Sequence, residues 1–372
     1  MKTLKLALLT AFVLGGCDNN DLDDRNIGDD DDGGGTTQVA AGFTRVDLVS
    51  NLPDVALHQD ANLVNAWGIT TGPGGFWIAN NGTGVLSVFD ADGNAAPLND
   101  TISLEPGITG IARNTTQGFL VPCGPDMTPL PADFLVASET GKVWAVSLAA
   151  PATAKVVVDR SGENAVFKGI AIATDGQGNT LILVTDFHNH RVDVFDTTFN
   201  FVATTGFVDT TVPTDFSPFN VAVFDGQVFV TFAQKEPNGD DELHGAGLGL
   251  IDVFDVGGRF VQRLTTGGLL NAPWGMAMAP AGFTGGTAAL LVGNFGDGRL
   301  TFIEPTTGRQ VGQVLDPNDN AVVIDGLWGI TFGDDTEAGS SDVLYFASGP
   351  DDEVNGVYGR LEVNFVEVTT TD

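Results

Sequence analysis

The side chains of this chain that could do chemistry are mostly acids and amides, and they recur at the ends of apolar runs. Asp186, Asn294 and Asp351 each close such a run, while Asn220 interrupts a series of glycines. Carboxylate and amide oxygens are the ligands that calcium takes. These four residues are therefore the candidate metal ligands, with a divalent cation such as calcium as the candidate cofactor. His188, Asn189, Asp297 and Asp352 stand in the connectors that follow such runs, His58 and Asp325 in the connectors between repeats, and the six form a candidate ligand rim. Glu139, Glu353 and the acidic insert 234–249, with Glu236, Asp240, Asp241, Glu242 and His244, belong to that rim too. It supports three readings: solvated loop polarity, a cation at a channel mouth, or a transition-metal site through His188 and His190. The last is a weak signal, because a His-x-His pair without a third ligand is incomplete.

Other chemistries lack their residues. There is no Gly-x-Ser-x-Gly, phosphate loop, dinucleotide fingerprint or zincin motif. Cys123 lies in a Pro/Gly-rich loop, and no His close in sequence could activate its thiol. The net charge of −32, with only 16 Lys and Arg, argues against nucleic acid, whose phosphates need clustered cations.

The elements that must position the rim repeat six times. One motif recurs as Trp67-Gly68-Ile69-Thr70, Thr109-Gly110-Ile111-Ala112, Lys168-Gly169-Ile170-Ala171, Phe219-Asn220-Val221-Ala222, Trp274-Gly275-Met276-Ala277 and Trp328-Gly329-Ile330-Thr331. A blade of four short strands takes roughly 40–50 residues, and the copies recur at about that interval. Glycine suits an inner strand where backbones crowd around a channel. Each copy is followed by a nearly continuous apolar run, as expected of a strand packed on both faces. A third strand and, in five units, a weaker fourth come next, the latter at 96–104, 154–158, 201–208, 260–265 and 310–315. The sixth unit has no fourth strand of its own, and 44–50 is spare. The fold class expected is all-β, a six-bladed β-propeller whose last blade is closed by an N-terminal strand. Closure removes exposed sheet edges, and a monomer is expected. Composition agrees: 25 Phe but 2 Tyr, and 49 Gly for tight turns.

In a four-stranded blade, the connectors from second to third strand share one face with the connectors between blades. That geometry gathers the acidic rim and all four histidines on one face. Asn220 stands where the other five copies have glycine and so breaks the channel wall. The recurring Trp67, Trp274 and Trp328 read as packing between blades.

Several longer phrases resemble an uncharacterised family of exported bacterial propellers, whose members often carry a PEP-CTERM sorting tail. They include Asn62-Leu63-Val64-Asn65-Ala66-Trp67-Gly68, Val292-Gly293-Asn294-Phe295-Gly296-Asp297-Gly298 and Ile324-Asp325-Gly326-Leu327-Trp328-Gly329. The resemblance spans roughly 43–363 and extends distantly to NHL-repeat and gluconolactonase-like propellers. It implies export and the six-bladed fold, and no established activity. Gluconolactonase-like enzymes hold a divalent cation in the channel, but their ligand pattern does not map clearly here. The chain ends at 366–372 without the hydrophobic sorting tail.

The N-terminus reads as an address. Lys2 and Lys5 precede an apolar run that ends Leu14-Gly15-Gly16-Cys17, which resembles a bacterial lipobox. The expected division is a lipoprotein signal peptide at 1–16, a disordered acidic tether at 17–42, the propeller at 43–365 and a tail at 366–372. Cys17 is the expected lipidation site and membrane anchor. Asp18 beside it resembles the signal for retention at the periplasmic face of the inner membrane. The leading functional expectation is an envelope-anchored module that binds a small-molecule, glycan or protein ligand on the acidic rim. The alternatives are a divalent-cation-dependent hydrolase or lactonase, and a structural envelope protein.

Overall fold

The computed structural model describes residues 36–369 apart from 97–101, 124–125, 150–151, 203–204, 238, 285 and 287. Cys17, the signal peptide and most of the tether lie outside the described residues. The chain is a six-bladed propeller of antiparallel blades, each running from the channel outward. The inner strands are Ala66–Gly72, Ile108–Arg113, Phe167–Thr174, Phe216–Phe224, Pro273–Ala279 and Leu327–Phe332. Blade six is completed as expected: Thr36–Ser50 pairs antiparallel with Val357–Thr369, which pairs with Leu344–Ser348 and through it with Leu327–Phe332. This closing strand begins at Thr36, inside the stretch read as tether, and its partner runs into the stretch read as tail.

The continuous apolar character of the second strands has a simple cause. In Phe134–Ser138, Phe134 and Val136 pack toward blade one, while Leu135 and Ala137 pack toward blade three. A strand alternates its side chains between faces, so a strand inside a stack of blades needs apolar residues at every position. Six apolar clusters result, one in each interface between neighbouring blades. The glycines of the inner strands answer to crowding. A Cβ on Gly68 would come within 2.5 Å of Thr109 O, and one on Gly329 within 2.7 Å of Trp67 O, which closes the ring from blade six to blade one.

Two features differ from expectation. Among the described residues blade three has three strands, Phe167–Thr174, Thr180–Asp186 and Arg191–Phe195, and the segment after them makes the isolated bridge Phe195–Phe201. Blade two carries an added hairpin, Leu120–Cys123 with Thr128–Pro131, between its first and second strands. Cys123 is buried in it, its Sγ 3.8 Å from Thr128 O.

Candidate functional site at the channel mouth

The second-to-third-strand connectors open onto the face where the inner strands begin. The channel mouth there is closed by aromatic rings. Trp67 stacks on Trp328 with centroids 3.6 Å apart, and Phe295 stacks on the other side of Trp328 at 3.8 Å. Trp274 meets both tryptophans edge-on. The repeated tryptophans therefore pack on one another across the axis and form a plug. Asn65 Oδ1 accepts a hydrogen bond from Trp328 Nε1 at 3.1 Å. The Trp67 and Trp274 indole N–H groups are buried without a partner among the described residues. Beyond the plug, toward the opposite face, a cavity of about 300 Å³ is lined by Ile69, Ile111, Ile170, Val221, Met276 and Ile330.

Against the plug sits a buried cation. Lys168 is 1% exposed; its Nζ is 2.7 Å from Glu139 Oε1 and 3.7 Å from Asp241 Oδ1. It lies 5.1 Å from the Trp67 ring centroid and 5.8 Å from that of Phe187, within the range of cation–π attraction. Desolvation would lower its pKa, but Glu139, Glu242 and Asp241 outweigh burial and hold it above the ordinary lysine value. Lys168 is thus a fixed ammonium. A nucleophilic or Schiff-base lysine needs the opposite shift.

The carboxylates around it come from separate connectors: Glu139 from blade two, Asp241 and Glu242 from the insert of blade four, and Glu353 from blade six. Asp351, Asp352 and Glu353 have φ of 57°, 53° and 65°, a left-handed run that non-glycine residues seldom adopt. Asn355 Nδ2 donates to Asp351 Oδ2 at 2.8 Å, and the Glu353 N–H donates to Gly349 O at 3.1 Å; both bonds hold this turn. Burial, then the neighbouring Glu242 and Glu139 charges, push Glu353 up to about 7, against the pull of Lys168. His244 Nε2 is 3.8 Å from Glu242 Oε1, and that carboxylate raises the imidazole pKa against desolvation.

Beside the mouth lies a pocket of about 460 Å³, lined by His188, His190, Asp215, Lys235, Glu236 and Asp240 among others. Asp240 Oδ1 is 2.8 Å from His188 Nδ1 and 2.8 Å from Lys235 Nζ. Burial works to raise Asp240, but hydrogen bonds from Lys235 and His188 bring it below the usual carboxylate value. An ionised Asp240 accepts its hydrogen bond from His188 Nδ1–H.

Each of the four candidate metal ligands has hydrogen-bond partners of its own. Asp186 Oδ2 accepts from Asn189 Nδ2 at 2.7 Å, and its Oδ1 from the Val166 and Asn189 N–H groups. Asn294 Oδ1 accepts from Asn271 N, and its Nδ2 donates to Thr301 Oγ1. Asn220 Nδ2 donates to Trp274 O at 2.7 Å, and its Oδ1 accepts from Val221 N at 2.8 Å. Asn220 thus staples blade four to blade five. Asp351 accepts from Asn355 and donates its N–H to Asp325 Oδ2. Among the described residues no group of three His, Cys, Asp or Glu side chains is arranged to hold a metal ion.

Of the expected rim, the structure joins Asn189 to Asp186, Asp325 to Asp351, and His188 to Asp240. Asp297 accepts from the Arg299 N–H at 3.2 Å and contributes charge near His244. Asp352 is exposed in the left-handed turn. His58 leaves the rim. It belongs to His58–Gln59, an added strand paired parallel to the closing strand at the outer edge of blade six. Its charge acts on Asp90, in the third-to-fourth-strand connector of blade one. Lys168 was not among the site residues expected, though it is the one charged residue in a slot filled elsewhere by Trp67, Thr109, Phe219, Trp274 and Trp328.

No family profile matches the chain. It is 33% identical to "Uncharacterized protein R648" of Acanthamoeba polyphaga mimivirus, over 84% of this chain and 78% of that protein. It is 34% identical to "Uncharacterized protein L690" of the same virus, over 84% of each. Among solved structures, a Bacteroides thetaiotaomicron protein of unknown function superposes with a TM-score of 0.55, at 13% identity over 88% of this chain and 77% of that one. A gluconolactonase from Xanthomonas campestris superposes more loosely, with a TM-score of 0.42, at 14% identity over 88% of this chain and 100% of that one. The former likeness carries the propeller fold and nothing beyond it.

Proposed function

The chain belongs to the family of the mimivirus proteins R648 and L690, whose names assign no activity, and we propose from its own geometry that it is a ligand-binding module with its ligand seat in the pocket of His188, Lys235 and Asp240. The observation that carries this reading is the pocket's mixed lining. An imidazole, an ammonium and carboxylates are held together on the connectors of blades three and four. Such a lining suits a small polar ligand, a sugar or an exposed polar group of a protein, because each hydroxyl or amide can find a fixed donor or acceptor. Among the described residues no hydroxyl or thiol is hydrogen-bonded to His188, so the pair lacks the nucleophile of a relay.

A thermal-shift screen of sugars, polyols and amino acids tests this reading. A ligand present at a hundred times its Kd stabilises by about 2.7 kcal/mol, a shift of a few degrees. His188→Ala and Asp240→Asn are expected to abolish the shift. Release of product from a lactone and ester panel would establish a hydrolase instead. A screen with no shift would leave a scaffold.

The same proposal places the module outside the cytoplasm on a lipid at Cys17. Its support is the charged, apolar and small-residue order of residues 2–17. Expressed in a bacterium, the wild type is expected to incorporate labelled palmitate and sediment with membranes, and Cys17→Ser to do neither. An unlabelled, soluble wild type would sink the anchor.

A further inference from the structure

The channel mouth holds more negative charge than its own cations neutralise. Glu139 and Asp241 are engaged by Lys168. Glu242 and Glu353 face each other and Lys168, and no lysine or arginine is paired with either among the described residues. Glu242 is 9% exposed, yet its Oε2 has no hydrogen-bond partner among the described residues. A buried carboxylate oxygen without a donor is costly, and the neighbouring Glu353 carboxylate raises that cost. A mouth built this way takes up a proton or a cation.

We propose that the mouth binds a protonated amine between Glu242 and Glu353. Lys168 shows what this surface accepts: an ammonium donating to a carboxylate while lying over aromatic rings. The incoming amine repeats that arrangement one step farther out, where Asp241 and His244 are half or more exposed at their side chains and leave a way in. It donates N–H bonds to Glu242 Oε2 and to the Glu353 carboxylate. A donor cation fits better than a bare metal ion, since no three acidic or imidazole side chains here are arranged around one point. The occupant is a primary ammonium, as on a free amine or an accessible lysine side chain of a partner protein.

The proton balance sets the pH dependence. Glu353 is faced by Glu242 from the insert, Lys168 from the inner strand of blade three, Glu139 from blade two and the side chain of Asn65. His244, faced by Glu242, Glu353 and Asp297, competes for the same charge when protonated. Below pH 7 the proton on Glu353 must leave before the amine is seated, so affinity falls about tenfold per pH unit, one proton per amine. Above pH 7 it levels off.

Methylammonium chloride and N-acetyl-lysine methylamide, titrated calorimetrically into the whole protein at pH 5.5, 6.5 and 7.5, test this site. Both are expected to bind saturably, more tightly with rising pH, and to release a proton at pH 5.5 and 6.5. Tetramethylammonium, which has no N–H, is expected to bind at least tenfold more weakly. Glu353→Gln is expected to bind more weakly and without the pH dependence, and Glu242→Gln not to bind. Their melting temperatures show that both variants are folded. Equal heats from sodium chloride, tighter saturation by calcium chloride, or unchanged binding in Glu242→Gln would overturn the proposal. The titration reads the amine directly, so it stands or falls apart from any ligand of the His188 pocket.

Discussion

Replacing Lys168 by methionine is expected to destabilise the propeller by about 3–5 kcal/mol at pH 7.5, the cost of removing one partner from a buried ion pair. Methionine keeps most of the apolar stem and its packing on Trp67 and Phe187, so the loss reports the charge. Without the ammonium, Glu139 loses its 2.7 Å partner, and Glu242 and Glu353 face each other with no cation between. Urea unfolding followed by tryptophan fluorescence measures this well, because Trp67, Trp274 and Trp328 all lie in the plug. The deficit should shrink at pH 5, where protons replace the missing charge. Lys142→Met is the contrast. Its pair with Glu105, at 2.8 Å, is partly exposed on both sides, and exposed pairs contribute little. A Lys168→Met protein with the wild-type midpoint at pH 7.5 would mean that the carboxylates do not gather around Lys168.

The ring was legible because its signals are local. Alternation within a strand, glycine at the crowded axis and polar connectors can each be read over a few residues, and together they specified six blades and the closing strand. The mouth was not legible in the same way. Glu139, Asp241, Glu242 and Glu353 come from three blades, and no short-range pattern states which connectors lean inward. Lys168 did carry a local signal, a charge in a slot that is otherwise aromatic or Thr109. Its meaning depended on those distant carboxylates.

The metal reading rested on acid density, and the structure shows where much of that acid goes. Asp90, Asp175, Asp196 and Asp316 each accept the backbone N–H two and four residues on, with Asn at the fourth place in every case. Asp255 makes the same turn with Arg259. A carboxylate committed to N–H donors has fewer lone pairs to offer a cation. The Asp-x-x-x-Asn spacing of these turns was visible in the sequence and marks acids that build hairpins.

Thermal stability is expected to pass through a maximum between about pH 3.8 and 4.5, and two groups of carboxylates set its two sides. Burial raises Asp252, despite Arg263, from 3.8 to about 6. Burial and Glu242 raise Glu353 from 4.5 to about 7. Both bind protons more tightly in the folded chain than in the unfolded one. Their contribution is therefore complete below the unfolded values and is lost as pH rises through 6 and 7. The turn acids act in the opposite sense. Hydrogen bonds from Asn179, Arg259 and Asn320 lower Asp175, Asp255 and Asp316 from 3.8, so their contribution holds above pH 3.8 and is lost as pH falls through the lowered values. Self-repulsion in a chain of net charge −32 also eases on acidification, but added salt screens that effect far more than it screens a buried carboxylate. Calorimetric scans from pH 3 to 8 in 0.5 M sodium chloride separate the two. Glu353→Gln is expected to flatten the fall between about pH 4.5 and 7 while leaving the loss below pH 4 intact. A variant as steep as the wild type between about pH 4.5 and 7 would show that Glu353 does not carry a proton at the mouth.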